Sequence, residues 1–168
     1  MNVIANAGAG RYLDSTSGTL ADGSLLRYGT FDEAAYDLLS SSDQLSFSAV
    51  DALFVQYGSL TSSSGDFLVI GDTPTGGTSG DQLYTWVFNA GVAASATEWG
   101  IFSSDNALWD FPSDPGSATL SSATINNVVA GGTSGSNFTL TAVPEPSAYA
   151  ALAGLLSLGY VMVRRRRS

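Results

Sequence analysis

The chain of 168 residues contains no cysteine, no histidine and no lysine. Without cysteine there are no disulfides, no thiolate zinc site and no thiol nucleophile. A domain of this kind must rely on its core. Without histidine the commonest general base, the Ser-His-Asp triad and imidazole metal ligands are all excluded. Without lysine there is no Schiff-base chemistry and no phosphate-loop lysine. Positive charge is scarce as well: the six basic residues are all arginine, and four stand together near the end. Of the fifteen acidic residues only Glu145 lies in that tail. Residues 1–143 therefore carry a net charge of −12 against −9 for the whole chain. Such a surface repels nucleic acid, which calls for Lys and Arg along its phosphates. It suits solubility and cation-rich or carbohydrate-rich surroundings outside the cell.

What is present is concentrated in the last 26 residues. Pro144-Glu145-Pro146 is followed by an uncharged stretch over 148–163 and then by Arg164, Arg165, Arg166 and Arg167. Each proline lacks a backbone N–H and pushes the residue before it toward extended geometry, so the motif reads as extended chain unable to join a sheet. Sixteen residues of helix reach about 24 Å, somewhat short of a bilayer core of about 30 Å. Thinning, snorkelling arginines and the interfacial Tyr149 and Tyr160 can cover the difference. The four arginines fix the orientation: they stay cytoplasmic and everything before them faces the other side.

This tail resembles the PEP-CTERM sorting signal of Gram-negative bacteria, on the residues Pro144, Glu145 and Pro146, the following apolar segment and the terminal arginines. The resemblance implies export through the secretion machinery and an inner-membrane-anchored precursor. It also implies an exosortase that recognises Pro144-Glu145-Pro146, cleaves near it and releases or re-anchors the protein. It divides the chain into an exported β-rich domain, 1–142, and a sorting signal, 143–168, with a transmembrane helix at about 148–163. By the same resemblance the setting is exopolysaccharide or biofilm. At the other end, Ala5-Asn6-Ala7 has the small-x-small form of a leader cleavage site, without the basic and apolar regions of a leader before it. A signal peptide upstream of Met1 is the corresponding expectation.

Along the domain, Asp22-Gly23 is a turn signal between apolar runs and predicts a hairpin whose second strand is 25–31. Asp32 is an N-cap candidate, and residues 32–57 predict one or two short helices stopped by Gly58. Thereafter the pattern is β: strands at 67–70, 82–89, 98–102, 117–120, 124–129 and 137–143, with a short proline-stopped piece at 107–112. In 82–89, Tyr84, Trp86 and Phe88 share one face and Leu83, Thr85 and Val87 the other; both faces are apolar, which marks a central strand. The expected fold is mainly β: an antiparallel β-sandwich or jelly-roll-like domain with a small helical segment, plus the C-terminal transmembrane helix.

Candidate sites are few. Trp99 and Trp109, with Tyr84, Trp86 and Phe88, could form an aromatic platform for sugar rings; the competing reading is core. Asp72, Asp81, Asp105, Asn106, Asp110 and Asp114 lie in or near loops and could serve Ca²⁺, although no EF-hand spacing is present and Asp is a common turn residue. Glu33, Glu98 and the loop aspartates could supply the carboxylate pair of a glycoside hydrolase, which needs separations of about 5–9 Å. No cofactor or catalytic residue is expected. The function expected is that of a non-enzymatic envelope or extracellular-matrix protein, with a carbohydrate-binding module as the alternative and a hydrolase behind it.

Overall fold

The computed structural model describes residues 2–7, 11–63, 66–72, 76–113, 116–143 and 162. These residues are mainly β, in sheets that are mostly antiparallel, with few helices. The organising element is β6 (Tyr84–Phe88), in which all five residues are buried. Its neighbours β3 (Leu25–Phe31) and β7 (Glu98–Ser103) pair with it antiparallel on either side. Beyond β3 lies β4 (Phe54–Thr61), while the far side of β7 takes β9 (Asn127–Ala130) and β12 (Thr141–Ala142).

The period-two alternation of β6 explains why it is central. Tyr84, Trp86 and Phe88 enter one apolar cluster; Leu83 and Val87 enter a second on the opposite side. Two three-stranded sheets cover the Leu83/Val87 face. One is β5 (Phe67–Asp72), β1 (Asn2–Ala7) and β8 (Ser117–Ser121); the other is β10 (Gly132–Ser134), β11 (Asn137–Thr139) and β2 (Tyr12–Leu13). Their side chains merge with the large sheet: Tyr12 lies 5.3 Å from Phe102 and Phe102 lies 5.3 Å from Phe138, ring centre to ring centre. Each such aromatic pair adds about 0.5–1.5 kcal/mol beyond its burial. The β1–β8 and β11–β2 pairings are parallel, an exception to the expected antiparallel order.

The Trp86 face is covered by the helical segment. Helix α1 (Glu33–Asp37) starts where the sequence predicts, with the Asp32 carboxylate accepting from the Ala35 N–H at 2.9 Å. Helix α2 (Phe47–Asp51) buries Val50 completely, and Phe47 stacks on Trp86 at 5.6 Å.

Several expectations need correction. The turn at Asp22-Gly23 exists, with Gly23 at φ 82°, but it closes no hairpin. Strand β3 pairs with β4 and β6, and the Gly23 N–H bonds instead to the carbonyl of Ser62. A turn residue fixes local direction, and the partner strand is chosen by which apolar face fits. The helical reading ends too late. Residues 54–57 begin β4, where Val55 and Tyr57 favour a pleated surface. Gly58 is no helix stop but a strand residue under the Tyr28 ring: a Cβ there would lie 2.2 Å from the Tyr28 hydroxyl. The piece at 107–112 is a 3₁₀ turn over Ala107–Trp109, not a strand. Residues 122–124 likewise form a 3₁₀ turn, and the following strand is shifted to Asn127–Ala130. Apart from these corrections, Ala5-Asn6-Ala7 belongs to β1, the middle strand of its sheet. Val3, Ala5 and Ala7 are its buried face. The small-x-small pattern thus has a packing cause: strand alternation places small residues where β1 meets the core.

Candidate functional site

The described domain hands over to the sorting segment at β12. Thr141 and Ala142 face Trp99 and Glu98 of β7, and the Val143 N–H donates to the Thr97 carbonyl at 2.8 Å. Val143 also packs half-buried against the Trp86 cluster. The next residue is Pro144, whose ring removes the N–H that a continuing ladder would need. The sheet therefore stops one residue before the motif. Pro144, Glu145 and Pro146, the segment 148–163 apart from Met162, and Arg164, Arg165, Arg166 and Arg167 lie outside the described residues. Among the described residues no helix is long and apolar enough to cross a membrane.

Trp99 and Trp109 are both inside, at 1% and 0% exposure. Trp99 stands edge-on to Trp86 at 5.6 Å, and its indole N–H is buried without a partner. The Trp109 indole N–H donates to the Thr124 hydroxyl at 2.9 Å, which donates onward to the Ser121 carbonyl. Neither indole presents a face on which a sugar ring could stack. Tyr84, Trp86 and Phe88 are buried in the same manner.

The two candidate glutamates are kept apart. Glu33 accepts from the Tyr84 hydroxyl at 3.0 Å and from the Asn127 amide at 3.1 Å, and Asn127 also reaches the Ser103 hydroxyl at the end of β7. Glu98 opens β7 and accepts from the backbone N–H and hydroxyl of Ser15. Glu33 is thus linked to the Ser103 end of β7 while Glu98 opens its other end, and the two share no hydrogen-bond partner among the described residues. Burial and then the Glu33 carboxylate push the Tyr84 phenol up to about 12. Burial does the same to Tyr12. Both stay neutral at physiological pH and act as packing groups.

The loop acids perform turn chemistry. Asp81 accepts from the Thr78 N–H, Asn106 caps the turn at 107–109 by accepting from the Leu108 N–H, and Asp105 accepts from the Asn126 amide. Asp110 pairs by backbone with Gln82. The side chain of Asp72 and all of Asp114 lie outside the described residues. Among the described residues no group of three or more acids converges as a metal cage would require.

One constellation went unread in the sequence. Arg27, on β3, meets Asp51, at the end of α2, at 2.6 Å and lies over the rings of Phe54 and Trp86 at 5.2 and 5.1 Å. The charge ties the helical segment to the sheet. One of only two arginines in the acidic residues 1–143 was the available signal, but no local pattern names its partner.

Residues 142–167 match the model of the PEP-CTERM protein-sorting motif. The C-terminal segment thus carries a PEP-CTERM protein-sorting motif, which supports an exported protein sorted by a C-terminal signal. That signal implies exosortase processing and a membrane-anchored precursor. The match covers the tail and begins within β12; the rest of the β-rich domain lies outside it. No curated protein and no solved structure matches the chain.

Proposed function

We propose that this chain is a structural, non-enzymatic protein of the cell envelope or extracellular matrix. Its acidic sandwich-type domain is delivered to the outer side of the inner membrane. There 148–163 holds it while Arg164, Arg165, Arg166 and Arg167 remain on the cytoplasmic face. Exosortase action near Pro144-Glu145-Pro146 then frees or re-anchors the domain at the cell surface or outside the cell, in an exopolysaccharide setting. The match of residues 142–167 to the sorting motif carries this reading. A net charge of −12 on residues 1–143 supports it, because such a surface stays hydrated and dispersed among polymers.

A carbohydrate-binding role gets no support from Trp99 and Trp109, which are enclosed. Any such role would rest on surface polar groups, with or without Ca²⁺. The test follows the tagged precursor in a producing cell that has its exosortase. Wild-type protein is expected to shift to a smaller form on the outer side, and the triple variant Pro144→Ala, Glu145→Ala, Pro146→Ala to accumulate at precursor size in the inner membrane. Identical sizes and distributions for the two would refute the reading.

A further inference from the structure

We infer that β12 is a strap that ties the chain immediately before the sorting motif to the folded domain, and that it must release before the exosortase can act. The inference rests on the processing reading above and concerns when the motif becomes available. Thr141 and Ala142 are paired to Trp99 and Glu98 of β7, and Val143 is held by the Thr97 carbonyl and by packing on the Trp86 cluster. No spacer separates that anchorage from Pro144. An enzyme that reads an extended segment needs that segment's main-chain hydrogen-bonding groups free. On the N-terminal side of the motif the chain is already committed to the sheet, and the body of the domain stands beside it.

The contact is small. A two-residue strand, one following backbone bond and a half-buried valine lie at the low-stability end of a fold, where local opening is frequent. Strap release is therefore rapid and partial, and it sets the fraction of precursor open to the enzyme. A folded domain then slows its own processing, and a partner that pulls β12 off β7 accelerates it. The substrate side of the reaction thus holds a regulatory element in residues 141–143.

The test uses the full precursor in the producing cell, chased after a labelling pulse. A six-residue Gly/Ser spacer between Val143 and Pro144 leaves both the domain and the motif unchanged. It is expected to raise the processing rate about tenfold, the suppression expected from one or two net hydrogen bonds and a half-buried valine. The reverse perturbation is Glu98→Cys with Ala142→Cys, at positions directly opposed across β7 and β12, in a chain with no other cysteine. The oxidised form is expected to be processed at least about tenfold more slowly than the same protein reduced, since closing off the open state removes the route. Adding the spacer to the oxidised form is expected to restore the rate. A spacer variant processed at the wild-type rate, or equal rates for the oxidised and reduced pair, overturns the strap. A wild-type precursor that is never shortened removes the processing reading itself, and the strap falls with it.

Discussion

Trp99 and Trp109 differ in one respect that experiment can read. Both are enclosed, but the Trp109 N–H is bonded to Thr124 while the Trp99 N–H has no partner. Replacing either with Phe opens a gap on the order of 40 Å³, about 1 kcal/mol at ~24 cal/mol per Å³. In Trp109→Phe the lost hydrogen bond adds about 1 kcal/mol, for a destabilisation of about 2 kcal/mol. In Trp99→Phe the change removes a buried, unsatisfied donor whose burial costs about 1–3 kcal/mol. That gain offsets the gap, leaving stability within about 1 kcal/mol of wild type. Urea unfolding of residues 1–143, followed by far-UV circular dichroism, gives both numbers by linear extrapolation. Trp109→Phe should unfold at clearly lower urea and Trp99→Phe near wild type. A Trp99→Phe midpoint as low as that of Trp109→Phe would refute the reasoning from unsatisfied donors.

Further outcomes follow from the same packing. Ala5→Asp places a charge on the core face of β1, at a residue 2% exposed, and should abolish the cooperative unfolding transition; a two-state melt near the wild-type temperature contradicts the inward assignment of Ala5. Asp51→Ala leaves the Arg27 guanidinium, with its side chain 13% exposed, without a carboxylate. It should destabilise more than Arg27→Met, which keeps the apolar stem over Phe54 and Trp86; the reverse order in urea would sink that ranking. Tyr12 and Tyr84 are both raised from 10.0 to about 12 in the folded state, so folding favours their neutral forms. The associated stability is fully present below pH 10 and lost as pH rises through about 12. Thermal melts should fall across that window, less steeply in Tyr84→Phe. Equal slopes for the two proteins would contradict the Tyr84 assignment.

The central strand was legible because its alternation leaves no polar face: Tyr84, Trp86 and Phe88 on one side and Leu83 and Val87 on the other can be satisfied only between two apolar layers. The Asp32 cap was legible because capping is local chemistry between residues three apart. Beyond the β6–β7 pair, where 98–102 read as the neighbour of 82–89, pairing was not legible. The β3 strand chose β4 and β6, and β1 took β5 and β8, through matches between faces distant in sequence that no local pattern records. Strand β4 was misread as helix because mixed apolar spacing at 52–57 fits either period, and the Tyr28 ring over Gly58 decides it. Ala5-Asn6-Ala7 has two readings because a cleavage motif and a small-residue strand face look alike in sequence. The sorting motif itself could be read directly, since its parts are adjacent and their order carries the meaning.

The most direct measurement is the intact mass of the mature protein recovered from the cell surface or medium. Sorting and cleavage near Pro144-Glu145-Pro146 require a species that has lost the apolar segment and the arginines while keeping β12, so peptides spanning 164–168 should be missing and Ala142 retained. Mature surface material with Arg164 to Ser168 intact would contradict it.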